Sequence, residues 1–213
     1  MAIILFVGLS SVMVVVEWHS NQQKDRDLRE LSSLAVMYQS RMKGKIASRL
    51  NAIESLEALF VLHPDTTSEE FDHFAALILR NNPPVRALEY ADAETLVTYV
   101  YPRKGNEITV EKPNLLLADE KRSPYVKKAI ETKRATAQGP LELRQGGVGM
   151  VVRSPIYDKD RFLGLPIGVF DIPVLLQETF SDHLPPDIVY RVVGENGEIF
   201  PVGENAGADF VER

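Results

Sequence analysis

The stretch VGMVVRSPIYDKDRFLGLPIGVFD, residues 148–171, is the part of the sequence with the strongest β-strand character. Its two halves, Val148–Tyr157 and Phe162–Asp171, are rich in β-branched, aromatic and other apolar residues, which are favoured in strands. The polar residues Asp158, Lys159 and Asp160 lie between the halves. We therefore predict two strands of one sheet.

Three earlier segments show the same strand-like pattern, so we predict a five-stranded sheet. These segments are Val85–Tyr90, Leu96–Tyr101 and Pro140–Arg144. The sequence Gln145-Gly146-Gly147 predicts a hairpin turn between the third and fourth strands, because glycine supplies the positive φ angles that tight turns need. A smaller hairpin, Ile188–Val193 with Glu198–Val202, is predicted around Glu195-Asn196-Gly197.

Residues 19–62 predict one long helix. They contain no proline, and apolar residues recur at steps of three and four. Such a helix is about 65 Å long and suits a stalk. Its apolar stripe is compatible with a dimer seam and equally with packing on the chain's own domain. Shorter helices are predicted from the capping sequence at Thr66–Glu70 to about Asn81, at Pro124–Arg134 and at Pro173–Phe180.

The first sixteen residues, MAIILFVGLSSVMVVV, carry no charge. A membrane span needs about 20 residues, so we expect residues 1–18 to be a membrane anchor that is truncated. A signal peptide and a buried core helix are the alternatives, but no basic residues precede the run and it continues directly into a helical pattern.

Composition and motifs argue against several functional classes. The net charge of −6 argues against nucleic-acid binding, and the absence of cysteine excludes disulfides and thiolate chemistry. The four histidines have no spacing that builds a metal site, and no nucleophile motif is present. Gly146–Gly149 favours a turn over a phosphate loop, because a strand-like segment follows it. We expect no catalytic residues, no metal and no cofactor.

Polar-tipped residues on otherwise apolar strands are the candidate ligand-binding residues. Arg153 must find an acceptor inside an apolar strand, either in a structural ion pair or in a ligand. Asp171 could contact a ligand or cap the helix that follows. Tyr99 and Tyr101 share one sheet face, where they could line a pocket or simply pack. The full predicted set is Tyr90, Tyr99, Tyr101, Met150, Arg153 and Asp171.

Four stretches together resemble the CHASE domain: Ala87–Tyr90, Val100–Glu107, Gln138–Gly147 and Arg153–Tyr157. The resemblance covers roughly residues 56–171. It implies an extracytoplasmic sensor of the kind found before diguanylate cyclase and histidine kinase modules. It also implies an α+β, PAS-like fold, with a long N-terminal helix on one face of an antiparallel five-stranded sheet and a small-molecule pocket on the other. The segment ending at Asp171 is similar to one in related Cache sensors, where an aspartate holds a ligand amine.

The expected organisation is an anchor (1–18), a stalk helix (19–62), a PAS-like sensor domain (63–180) and a membrane-proximal hairpin and tail (181–213). We expect an extracytoplasmic or periplasmic small-molecule sensor of a membrane receptor, whose cytoplasmic output domain is absent from this chain. The expected partners are a carboxylate or amino-acid-like ligand, the membrane and a second copy joined through the stalk. A protein-interaction module without a pocket and a membrane-anchored hydrolase are the competing functions.

Overall fold

In a computed structural model, the described residues are 2–111, 113–180, 192–193, 197 and 199–200. Side chains of residues 1–23 and of Asp25 lie outside that description. The chain divides into two compact units, residues 1–44 and 45–213. Helix α1 spans Ala2–Leu62, which confirms the predicted long helix. Within the described residues, no helix combines the length and apolar character needed to cross a bilayer.

Three further helices lie in the second unit. Helix α2 (Ser68–Arg80) begins with the predicted capping box, in which Glu70 N donates to Thr67 Oγ1 and Thr67 N donates to Glu70 Oε2. These bonds satisfy amides that have no partner within the helix. Helix α3 spans Ser123–Thr132, and helix α4 spans Ile172–Phe180.

The main sheet is antiparallel, with strand order β2-β1-β6-β4-β3 and a short β5 that pairs with β6. The central β6 pairs with both β1 and β4, so the two halves of residues 148–171 contain strands of one sheet, as predicted. The strands are β1 (Val85–Ala91), β2 (Val97–Tyr101), β3 (Thr136–Glu142), β4 (Val148–Arg153), β5 (Ile156–Asp158) and β6 (Arg161–Asp171).

Two predicted strand bounds were wrong. The segment Val148–Tyr157 is two strands, because the chain leaves the β4 ladder at Ser154 and Pro155 lacks a donor for it. The third strand begins at Thr136, four residues before Pro140, and the register with β4 shifts between Gln138 and Leu141.

The small hairpin is described only in part. Strand β7 (Val192–Val193) pairs with β8 (Ile199–Phe200). The other residues of the predicted strands, Ile188–Arg191, Glu198, Pro201 and Val202, lie outside the described residues.

One face of the sheet packs on residues 45–62 of α1 and on α2. The rings of Phe60 and Tyr90 stack with centroids 3.7 Å apart, and those of Phe71 and Tyr99 with centroids 5.3 Å apart. At Gly168, a Cβ atom would overlap the side chain of Ile53, so the absence of a side chain lets the helix approach the sheet closely. This face is apolar core.

Candidate functional site

The opposite face of the sheet carries polar side chains around a cavity of about 80 Å³. A single water requires roughly 10–15 Å³ of such space, so several waters or a small polar molecule fit. Alternation along β1 explains the difference between the faces: Leu88 and Tyr90 join the core on the α1 side, and Glu89 lines the cavity. Apolar residues Val151, Ile167 and Val169 complete the sheet side of the cavity.

Strand register places an acid and a base in one row across this face. Ile167 of β6 pairs with Glu89 of β1 on one side and with Arg153 of β4 on the other. Since neighbouring strands lie about 4.8 Å apart, the Cα atoms of Glu89 and Arg153 are separated by about 10 Å. Their side chains therefore approach the cavity from two sides of Ile167.

Arg153 is buried with much of its hydrogen-bonding capacity unused. The residue is 1% exposed, and its Nη2 donates a hydrogen bond to Gln138 Oε1 at 2.9 Å. Within the described part of the chain, Nε and Nη1 have no acceptor. Burial, and next the charge of Arg122, lower the pKa of Arg153 to about 10, so the group is still cationic at neutral pH. An unpaired buried cation is costly, and an anion in the cavity would relieve that cost.

Two more guanidinium groups converge on one amide oxygen. Arg122 Nη1 donates to Asn114 Oδ1 at 2.7 Å, and Arg144 Nη1 donates to the same oxygen at 3.2 Å. Asn114 Nδ2 donates to the backbone carbonyl of Thr109, which orients the amide. A neutral oxygen thus holds two like charges together at the edge of the cavity.

Asp119 pairs with the outer side of Arg122. Arg122 Nη2 lies 2.9 Å from Asp119 Oδ2. Partial burial favours a higher pKa for Asp119, but hydrogen bonding and charge from Arg122 outweigh it and hold the pKa below its usual value. Arg122 Nε has no acceptor among the described residues.

Glu89 is the buried carboxyl of the cavity. The residue is 6% exposed, and its Oε1 accepts a hydrogen bond from Gln145 Nε2 at 3.3 Å. Burial raises the pKa of Glu89 to about 7, although the charges of Arg153, Arg122 and Arg144 act in the opposite direction. Near neutral pH the group is therefore divided between its charged and neutral forms.

The β3–β4 turn folds across the sheet face toward β1 and brings Arg144 and Gln145 to the cavity. Arg86 of β1 donates to the carbonyls of Gln145 and Gly146, at 2.8 and 2.6 Å. Gly146 and Gly147 both have φ near +80°, a conformation that glycine adopts without strain. The prediction of a hairpin turn at Gln145-Gly146-Gly147 is confirmed, since β3 and β4 pair on either side of it.

Taken together, the cavity has an excess of positive charge. Three guanidinium groups and two carboxyls, buried Glu89 and exposed Glu142, line the cavity, and Asp119 pairs with Arg122. Arg153 Nε and Nη1 and Arg122 Nε are donors without an acceptor among the described residues, so an anion in the cavity would find charged donors there. No cluster of side chains suited to a metal ion occurs among the described residues.

Of the six predicted site residues, Arg153 lines the cavity and the other five lie elsewhere. Tyr90, Tyr99, Tyr101 and Met150 pack in the core beneath α1 and α2. The hydroxyls of Tyr90 and Tyr99 donate to the backbone carbonyls of Leu163 and Thr66, each at 2.8 Å. Asp171 Oδ1 accepts from Val174 N at 3.0 Å, so it caps α4. The predicted set therefore does not form one pocket in this structure.

Sequence reasoning missed Glu89, Asn114, Arg122, Gln138 and Gln145. Glu89 carried a usable signal, because it is a charged residue inside an apolar strand, as Arg153 is. Asn114 and Arg122 lie on irregular segments, where no periodicity indicates which way a side chain points. Their convergence depends on tertiary structure.

Comparisons with known proteins agree with the fold. The family model described as "CHASE domain" matches residues 89–199, just over half of the chain. No curated protein sequence matches the chain. The ligand-binding domain of the Pseudomonas aeruginosa amino acid chemoreceptor PctC, solved with GABA, has a TM-score of 0.61 at 15% identity, over 84% of this chain and 75% of that one.

Two other solved structures share the fold at similarly low sequence identity. The ligand-binding domain of the Pseudomonas fluorescens chemoreceptor CtaA, solved with L-serine, gives a TM-score of 0.53 at 18% identity, over 80% of this chain and 68% of that one. An extracellular ligand-binding receptor from Desulfohalobium retbaense gives 0.55 at 10% identity over 68% of this chain. The chain spans about a quarter of that receptor, 27% of its length. Because the family model matches more than half of its sequence, this chain belongs to the CHASE domain family.

Proposed function

We propose that this chain is the extracytoplasmic sensor of a membrane receptor and that its cavity binds a small carboxylate. Membership of the CHASE family and the fold shared with chemoreceptor ligand-binding domains support the sensor role. Two of the three solved structures named above hold GABA and L-serine, and both molecules carry a carboxylate. A sensor role does not require catalysis, and the arrangement of the cavity offers no nucleophile paired with a base.

The observation that carries the proposal is the buried Arg153 side chain with two unpartnered nitrogens beside a cavity. A protein-interaction module without a small-molecule site would be expected to fill this volume with apolar side chains. Here three arginines and three amides line the cavity together with six apolar side chains, an arrangement that suits a small ligand with one charged end. The amides are Asn114, Gln138 and Gln145.

The test is calorimetric titration of the full 213-residue chain with acetate, pyruvate and L-serine, and with acetamide as a neutral control. We expect at least one carboxylate to bind and acetamide not to bind. Arg153→Gln should weaken binding about thirtyfold or more, since it removes a buried charge-assisted contact. Arg161→Gln is the matched control, because Arg161 begins β6 but its side chain is 68% exposed and pairs with Asp158 outside the cavity.

If no carboxylate binds, or if both arginine variants weaken binding equally, the proposed site is wrong. A general loss of positive charge would affect both variants alike, whereas a specific contact affects Arg153→Gln alone.

The remaining parts of the proposal concern transmission of the signal. We propose that residues 1–18 anchor the chain in the membrane, that the helix from residue 19 to 62 is a stalk, and that ligand binding shifts a homodimer between two arrangements. Apolar side chains exposed on α1 support a dimer seam: Leu28 is 64% exposed and Leu31 is 49% exposed. Ligand must bind the two arrangements with different affinity for a signal to pass to an output domain.

The dimer is tested by sedimentation of the full chain and of Leu31→Glu. We expect the wild type to associate and the variant to associate more weakly, because a seam position would bury an unpaired charge. Equal association of the two proteins would favour the alternative, in which the apolar stripe of the helix packs on the chain's own domain.

A further inference from the structure

Glu89 is a buried acid among three bases that do not pair with it. In the described part of the chain, none of the guanidinium groups of Arg122, Arg144 and Arg153 lies within ion-pair distance of its carboxyl. The hydrogen bond that Glu89 does make comes from a neutral amide, that of Gln145. Neutral amides also occupy acceptor positions around the arginines, at Asn114 and Gln138. The cavity keeps its acid and its bases apart.

This separation has a consequence for any anion that enters. Glu89 and Arg153 lie on either side of Ile167 in one row, so an anion in contact with Arg153 also lies close to the Glu89 carboxyl. Like charges in a poorly solvated cavity disfavour each other's ionised forms. The anion would also screen Glu89 from the arginines that favour its charged form.

We propose, resting on the carboxylate site above, that an anionic ligand binds together with a proton, which is taken up by Glu89. The proton comes from solvent and stays on a carboxyl oxygen of Glu89, so no covalent bond to carbon forms or breaks. The protonated carboxyl is neutral and can donate a hydrogen bond. Glu89 thereby adjusts the charge of the cavity to that of the ligand.

The charges that surround Glu89 support this assignment. Arg153 faces the cavity from β4, Arg122 from the segment before α3, and Arg144 from the β3–β4 turn. Asp119 lies beyond Arg122, and Glu142 lines the cavity at an exposed position of β3. The neighbours of Glu89 in its own row are uncharged: Val100 on β2 and Ile167 on β6. Glu89 is thus the buried titratable acid of the lining.

Before a ligand binds, Glu89 is already close to taking up this proton. With the pKa of Glu89 at about 7, protonation near neutral pH requires little free energy. Binding should be tightest below pH 7, where Glu89 is already protonated. Affinity should fall as pH rises above 7, because the ligand must then bring a proton with it.

The experiment measures proton uptake directly. Acetate and pyruvate are anions throughout pH 6 to 8, and they are titrated into the full chain at pH 7 in imidazole and in Tris, two buffers whose acid and base forms are cationic or neutral. If the bound state is fully protonated, the dependence of the binding enthalpy on the buffer should show uptake of about half a proton per ligand. The dissociation constant should be about tenfold larger at pH 8 than at pH 6.

Glu89→Gln provides the matched variant, because glutamine copies the shape of the protonated acid. It should bind at pH 8 at least as tightly as the wild type and show no pH dependence between 6 and 8. Glu131→Gln, at an exposed acid of α3 that does not line the cavity, should keep the wild-type pH dependence.

The outcomes separate this inference from the proposed function. Carboxylate binding with the same enthalpy in both buffers and the same affinity at pH 6 and 8 overturns proton uptake and leaves the carboxylate site intact. Failure of acetate, pyruvate and L-serine to bind the wild type refutes the site itself. Because the buffer comparison uses wild-type protein, it remains decisive if Glu89→Gln does not fold.

Discussion

The two faces of the central sheet are built from the same strands, and they differ in how many of their polar side-chain atoms have hydrogen-bond partners. Under α1 and α2, aromatic rings stack and the hydroxyls of Tyr90 and Tyr99 donate to backbone carbonyls. On the cavity face, Arg153 and Arg122 retain nitrogens without acceptors among the described residues. Folding alone explains the first face, because its rings stack on one another and the hydroxyls of Tyr90 and Tyr99 are paired within the chain.

This difference separates residues that serve stability from residues available for binding. Buried polar groups are normally paired, so unpaired ones indicate strain or a missing partner. Adjacent residues on one strand can belong to opposite roles, as Glu89 and Tyr90 do. The face on which a side chain lies therefore says more about its role than its chemical type does.

The largest expected effect comes from breaking the apolar face. Phe60→Ala should lower the free energy of unfolding by about 3–5 kcal/mol, because it removes a ring stacked on Tyr90 and leaves a cavity. Chemical denaturation of the full chain measures this loss. Leu62→Ala, two residues later and 72% exposed, is the control and should change stability little. Similar losses for both variants would mean that the aromatic cluster is not the core.

A smaller, pH-dependent effect is expected on the cavity face. Because the folded-state pKa of Glu89 is raised from 4.5 to about 7, the folded chain binds more protons than the unfolded chain between these values. Wild-type stability should therefore fall as pH rises from about 5 to 8, relative to Glu89→Gln, by about 2–3 kcal/mol. Denaturation curves of both proteins at pH 5, 7 and 8 measure the difference. A gap that does not change with pH would contradict the burial of this acid.

The smallest effect is expected at Asp171, which tests the boundary between the two faces. Asp171→Ala removes the side-chain acceptor of Val174 N and should cost about 0.5–2 kcal/mol of stability. Ligand affinity should not change, because Asp171 does not line the cavity. Thermal melts and calorimetric titration measure the two quantities. Weakened binding with intact stability would restore the role in holding a ligand amine that the Cache resemblance implied for Asp171.

The sequence predicted the fold well because its strongest patterns are local. The capping box at Thr67 and Glu70 is present in the folded chain, and residues 148–171 contain paired β-strands, as their local patterns predicted. The break at Ser154-Pro155 and the early start of β3 at Thr136 were missed, because pairing with neighbours sets those bounds.

The site was harder to predict, because it depends on which face each polar residue occupies. Arg153 was among the predicted residues because a cation inside an apolar strand demands an acceptor, and it does line the cavity. Tyr99 and Tyr101 were rightly expected to share a face, but that face packs against helices. Asn114 and Arg122 come from irregular segments, and only tertiary structure brings them to the cavity.

The most direct test of this division between the faces is one variant measured in two ways. Arg153→Met keeps a long side chain and removes the buried charge, and its unfolding free energy and its carboxylate dissociation constant are measured on the full chain. We expect stability within about 1 kcal/mol of the wild type, or higher, because an unpaired buried cation contributes little to folding. We expect carboxylate binding to weaken about thirtyfold or more. Unchanged binding together with a large loss of stability would contradict the account, because Arg153 would then serve the fold as Tyr90 does.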